Sequence, residues 1–189
     1  MAKRNTKRHE RKSRRTSKIV ACVLVGSFLL WFLLPYVRGS RVGINRDQAF
    51  LIEFGRGSGW HGLNTVKILD DGTVILYRQT RTGWETAQTS LSPESVARVL
   101  DDVEKNGLLE LKRAYHEDIA DGTQWVLRLK QGATEKAVYF NNSFPSEITH
   151  FATDLDNVLA ENAPDMTWHR VAYLGERKHE RELWESIKP

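Results

Sequence analysis

An α+β fold, an antiparallel sheet with two amphipathic helices on one face preceded by a single N-terminal transmembrane helix, is expected from three features of this chain. Strand-length segments meet at Asp-Gly and other Gly-containing turns, two longer segments carry helical apolar stripes behind capping residues, and residues 19–37 hold no charge after a strongly basic head.

The head, residues 1–18, has nine Lys/Arg and one Asp/Glu. A helix over the nineteen residues Ile19 to Val37 is about 28 Å long at ~1.5 Å per residue, close to the ~30 Å hydrocarbon core of a bilayer. Trp31 and Tyr36 fall toward the far interface, where amphipathic rings are favoured, and Pro35 sits in the last turn. Because Lys and Arg resist translocation, the head stays cytoplasmic and the rest of the chain lies outside. A cleaved signal peptide is the rival reading, with Val37 and Gly39 as small residues before a cut at Ser40. Against it stand the long polar head, the full-length apolar run and Arg38 beside the cut.

The whole chain has 28 Lys/Arg and 24 Asp/Glu, so removing the head and the uncharged span leaves 19 against 23, a net charge of −4. The basic character belongs to the tail. A nucleic-acid reading of the folded region thereby loses its electrostatic support, and the head serves topology and attraction to anionic lipid. Cys22 is the one cysteine and lies in the span, so an intramolecular disulfide is excluded and the domain relies on its core, for which about 150 residues suffice. The organisation that follows is a basic cytoplasmic tail over 1–18, a signal anchor over 19–37, a stalk over 38–48, an extracytoplasmic α+β domain over 49–162 and a charged C-terminal extension over 163–189.

Strands are expected over Ala49 to Phe54, Leu63 to Leu69, Val74 to Gln79, Trp84 to Thr89, Gln124 to Lys130 and Glu135 to Phe140. The stretch Gly55 to Gly62 is too rich in glycine for regular structure and reads as a flexible hairpin connection. Asp71-Gly72 suits a tight turn between the second and third strands. Ser92 is an N-cap and Pro93 a first helical residue, so a helix is expected from Pro93 to Asn106, with Val96, Val99, Leu100 and Val103 on one stripe and Gly107 ending it. A second helix runs from Pro145 to about Glu161, with Ile148, Phe151, Leu155, Val158 and Leu159 on one face. A short helix near Glu176 to Ile187 completes the chain. Tight strand pairs followed by single helices argue against a βαβ crossover fold and its nucleotide crevice.

This order of motifs resembles that of uncharacterised membrane-anchored or secreted bacterial α+β domains: strand, Asp71-Gly72-Thr73, strand, then Leu91-Ser92-Pro93-Glu94 opening a helix. It continues with Gly107-Leu108-Leu109, Leu111 and Tyr115, then Asp121-Gly122 before a strand and a closing helix. The resemblance covers about Phe50 to Leu159 and implies the fold, with no established activity. Some members carry a cysteine pair in the first loop, where this chain has Gly57, Ser58 and Gly59, so it implies no thiol chemistry here.

Candidate sites are each outweighed by a plainer role. Gly55 to Gly62 lacks the Gly-Lys-Ser/Thr and following helix of a phosphate loop, though Trp60 and His61 would suit a partner contact. His116, Glu117, Asp118 and Asp121 offer hard donors without calcium-loop spacing and read as a solvated acidic loop. His169, His179 and Glu180 do not form His-Glu-x-x-His, and Asp70 and Asp71 close a hairpin rather than form a carboxylate dyad. Neither Gly-x-Ser-x-Gly nor Ser-x-x-Lys follows the span. Trp125 alternates with Leu127 and Leu129 as core does, Trp84 is ambiguous, and Trp168, Tyr173 and Trp184 would dock on the domain or engage another protein. Catalytic, cofactor-binding and metal residues are therefore assigned to none. The expected function is a single-pass membrane protein with an extracytoplasmic interaction domain. It contacts lipid through residues 19–37, a protein partner on the extracytoplasmic side and no nucleic acid through the folded domain. The alternatives are an envelope hydrolase-like enzyme with a scattered site around His61 or His116, and a passive structural module of an envelope assembly.

Overall fold

The computed structural model describes residues 43–188 apart from 59–60, 120–121, 163–165 and 173–176. The expected anchor at 19–37, the head before it, and Trp60, Asp121 and Tyr173 lie outside the described residues. Among those described, no helix is long and apolar enough to cross a membrane.

Eight strands form one sheet: β1 (Phe50–Ser58), β2 (Gly62–Leu69), β3 (Thr73–Thr80), β4 (Gly83–Ser90), β5 (Ala114–His116), β6 (Thr123–Gln131), β7 (Thr134–Asn141) and β8 (His169–Arg170). Their spatial order is β5-β7-β6-β1-β2-β3-β4-β8, with every neighbouring pair antiparallel except β5 and β7. Among the described residues the helices are α1 (Pro93–Lys105), α2 (Ser146–Asn162) and α3 (Lys178–Ser186), with a 3₁₀ turn at Leu108–Glu110.

Local chemistry places α1 as expected. Ser92 accepts the Ser95 amide at 3.2 Å, Pro93 fills the first turn, and Gly107 (φ 64°) follows the helix in the left-handed conformation that a Cβ disfavours. Val99, Leu100 and Val103 of α1 join Ile148, Phe151, Leu155, Val158 and Leu159 of α2 over Ile52, Phe54, Val66, Ile68, Leu127, Leu129, Val138 and Phe140 of the sheet. This inner face is the main core. Trp125 packs there against Phe54 (centroids 5.5 Å) and Phe144 (4.5 Å), as its alternation with leucines implies.

The structure corrects the sequence reading in three respects. The sheet has eight strands rather than six, because β5 and β8, three and two residues long, arise from tertiary pairing rather than from any periodic pattern. β1 continues through Gly55 to Ser58, in register with Thr65, Asn64, Leu63 and Gly62, so most of the glycine-rich stretch is strand and not loop. A third helix, α3, lies against the opposite, outer face, where Leu183 joins Leu63 and Val126 and Trp184 meets Tyr139 at 5.8 Å. Helices therefore cover both faces.

Residues 43–48, which the sequence assigns to a stalk, are bonded to the domain. The Ile44 amide donates to Glu104 at 2.6 Å, Arg46 pairs with Asp101, and the Asn45 amide donates to Gln131 at 2.9 Å.

Candidate functional site

Alternation along β1, β2, β3, β4 and β6 sends every second side chain to the outer face, and these differ in kind from the inner set. From β1 comes Glu53, only 6% exposed. Its carboxylate meets Lys67 Nζ of β2 at 3.1 Å and Arg128 Nη1 of β6 at 2.9 Å. Arg128 also pairs with Glu135 of β7 at 3.0 Å, which with Glu53 raises its pKa against burial. Thr65, Ile75, Tyr77 and Thr86 complete this half of the face.

Glycine admits the covering helix. A Cβ on Gly55 would lie 2.7 Å from Leu183 Cδ2 and 3.0 Å from Leu63 Cδ1, and one on Gly62 would lie 2.8 Å from Glu180 Oε2. The glycines are thus a notch for α3, in keeping with the use of strand glycine where another element approaches closely. Glu180, 1% exposed, accepts Arg177 Nε at 2.7 Å, Arg177 Nη2 at 2.9 Å and Trp184 Nε1 at 2.9 Å. Burial opposes its charge, yet the Arg177 and Trp184 hydrogen bonds outweigh burial and hold its carboxyl below the ordinary value.

Where α3 bridges toward β3 and β4 it leaves a cavity of about 380 Å³. Lys67 and Glu53 line it from the sheet, Lys178 and Glu182 from the helix, and Tyr77 and Thr86 also line it. His179 of α3 stacks on Tyr77 (3.7 Å between centroids, 5° between planes) and meets Trp84 edge-on at 5.3 Å. Both its ring nitrogens are shielded from solvent and lack a hydrogen-bond partner among the described residues. Burial pushes its pKa down to about 4, against the pull of Glu180 and Glu53, so the ring is neutral at pH 7.

The candidates named from the sequence do not converge on this cavity, apart from His179, whose ring Trp84 meets from outside the lining. His61 is exposed, its amide donating to Ser58 Oγ at 3.3 Å. His116 is on edge strand β5, with Nδ1 at 3.0 Å from Asn141 Nδ2 rather than against Glu117 or Asp118. Strands β7 and β6 separate it from the β1–β2 hairpin, at least three strand spacings of ~4.8 Å or roughly 14 Å, so the two histidines do not meet at one reacting atom. Asp71 accepts the Thr73 amide at 2.8 Å as a turn residue, which lowers its pKa. His169 pairs through β8 with Thr86 of β4. Trp84 is buried on the outer face; Trp168 packs under the Arg78 guanidinium at 3.8 Å, and Trp184 lies on Tyr139. Sequence reasoning missed Glu53, Lys67, Tyr77 and Arg128, which look like ordinary strand residues until the register aligns them. Gly55 and Gly57, two apart and so on one face, were the available signal.

No protein-family model matches this chain and no curated protein is significantly similar to it, so the cavity is read on its own chemistry.

Proposed function

We propose that the chain is a single-pass membrane protein, N-terminus cytoplasmic, whose extracytoplasmic domain is a recognition module, with the outer-face cavity beside α3 as its binding site. The basic head followed by an uncharged, bilayer-length run supports the location. The observation that carries the binding role is the cavity itself: a concave site with an aromatic wall and lysines and carboxylates on opposing elements. Among the described residues Ile119 stands as the exposed large hydrophobic side chain, so a recess is favoured over a flat apolar patch.

Lys67 retains ammonium hydrogens beyond those facing Glu53, and Lys178 and Glu182 stand across the opening. That pattern suits a small zwitterion or carboxylate, such as a free amino acid or the terminus of a peptide, whose size a cavity of about 380 Å³ accommodates. Glu53 pairs with Lys67 and Arg128, and among the described residues no hydroxyl is hydrogen-bonded to His179, which supports binding over catalysis.

Two measurements test this reading. Protease added to intact cells should digest the domain while sparing the N-terminal head; protection of the domain on the outer side defeats the topology. Full-length protein in detergent, titrated by NMR with glutamate and with a short free-ended peptide, should bind at least one of them through the cavity, and Lys67→Met should weaken that binding tenfold or more. Binding unaffected by Lys67→Met, or no binding of either probe, defeats the site.

A further inference from the structure

We propose that α3 is an acid-released strap: protonation of His179 expels its ring from between Tyr77 and Trp84, detaches α3 from the outer face and carries Lys178 and Glu182, the helix-side wall of the recess, away with it. The strap rests on the geometry of α3 alone; that it regulates binding rests on the reading of the cavity given above.

His179 sits at the helix–sheet interface in a setting made for a neutral ring. An imidazolium carries two N–H donors and needs two acceptors, whereas the described residues offer neither nitrogen one. The charged and titratable groups facing it come from every packed element. Glu53 of β1 is already held by Lys67 of β2 and Arg128 of β6, and Tyr77 of β3 presents its ring plane. Trp84 and Thr86 of β4 bear no charge. On α3, Arg177 and Glu180 bind one another, while Lys178 and Glu182 flank the opening. Among the described residues no carboxylate bonds to either ring nitrogen to compensate its charge.

Linkage gives the sign. The pKa of His179 is about 4 when docked against an ordinary 6.5 when released, so docking is at full strength above pH 6.5 and weakens as pH falls toward 4. At pH 5 the docking equilibrium is about 30-fold weaker than at pH 7.5, and the limit below pH 4 is about 300-fold. Glu180, held below the ordinary carboxylate value of 4.5, begins to lose its own contribution only below that pH, outside the interval from 7.5 to 5.0. The released helix cannot persist, because nine residues with no side-chain N-cap bond fall short of the ~12–15 that an isolated helix needs. Release therefore reads out as loss of amide protection.

Hydrogen exchange of α3 in the full-length protein in detergent tests the strap, with rates divided by intrinsic rates and referenced to α1. Between pH 7.5 and 5.0, α3 protection should fall about 30-fold more than α1 protection, and His179→Phe, which keeps a ring on Tyr77, should abolish that difference. An equal fall in both helices, or the same fall in His179→Phe, overturns the proposal. Should the variant fail to dock α3, an NMR titration of wild-type His179 decides: a midpoint below 5 supports the strap and one near 6.5 overturns it. Exchange needs no ligand, so a failed ligand screen defeats the recognition reading alone and a flat exchange profile defeats the strap alone.

Discussion

On its inner face the sheet meets α1 and α2 through side chains such as Phe54, Phe140 and Phe151, all essentially excluded from water and in edge or stacked contact with further rings. On its outer face it meets one nine-residue helix through Leu63, Val126 and Leu183, beside a buried carboxylate, two cations and an imidazole with no hydrogen-bond partner among the described residues. The same strands build both surfaces, since alternation assigns successive residues to opposite sides. The inner face has nothing to exchange with solvent or solute, so its chemistry is packing. The outer face holds charges that are costly to bury, and a cover held in place by few groups. A fold can thus be stable through one face and responsive through the other.

Truncating the inner core should show the largest effect. Phe151→Ala removes a ring packed at 5.9 Å from Phe54 and leaves a cavity among residues that cannot close over it. Expected destabilisation is about 3–5 kcal/mol, read as a lower urea midpoint with unchanged slope and lost protection in all three helices. Leu183→Ala is the matching change outside. It empties the notch at Gly55 and should weaken α3 docking by about 2–3 kcal/mol, exposing α3 amides while β1, β2 and β6 stay protected. If Leu183→Ala lowered protection across the sheet as Phe151→Ala does, the two faces would be one cooperative core and the contrast would dissolve.

Polar burial on the outer face gives a smaller effect. Glu53→Gln keeps the shape and removes the anion that Lys67 and Arg128 share, while Arg128 retains Glu135. A loss of about 1.5 kcal/mol is expected in urea titration, within the range for hydrogen bonds to charged groups, and a neutral result would mean that water replaces the carboxylate.

The same contrast governs what the chain discloses before it folds. α1 was legible because Ser92, Pro93 and Gly107 are local signals whose partners lie within one helical turn. α2 was legible from its stripe, and the β2–β3 turn from Asp71-Gly72. The end of β1 was not, because Gly55 and Gly57 erase the alternating pattern, and the reason for Gly55 is Leu183 near the other end of the chain. β5 and β8 have too few residues to hold a period. α3 was placed closely, but its face was hidden: an acid, Glu180, is buried there, and polarity alone would turn it to water. The site suffered most, since Glu53, Lys67, Tyr77 and His179 come from four elements and only strand register and helix docking bring them together.

The smallest effect concerns how the two kinds of helix begin. α1 starts with a side-chain cap that is also a tertiary link: Ser92 Oγ accepts the Ser95 amide, and Ser95 Oγ donates at 2.9 Å to Asn162 Oδ1 at the end of α2. α3 starts at Arg177, in a left-handed conformation (φ 59°) with no side-chain cap bond. Ser92→Ala should therefore cost about 1 kcal/mol of global stability, because an amide that the cap satisfies is returned to water at the start of a helix the inner core depends on. The measurement is the urea midpoint beside Ser95→Ala, which keeps the cap on the residue 95 amide and cuts the Ser95 hydroxyl's links to Asn162 and to Ser92 Oγ. If Ser92→Ala cost no more than a few tenths of a kcal/mol, packing by Val99, Leu100 and Val103 would suffice to hold α1. Its well-formed start would then no longer explain why the inner helices endure while α3 depends on docking.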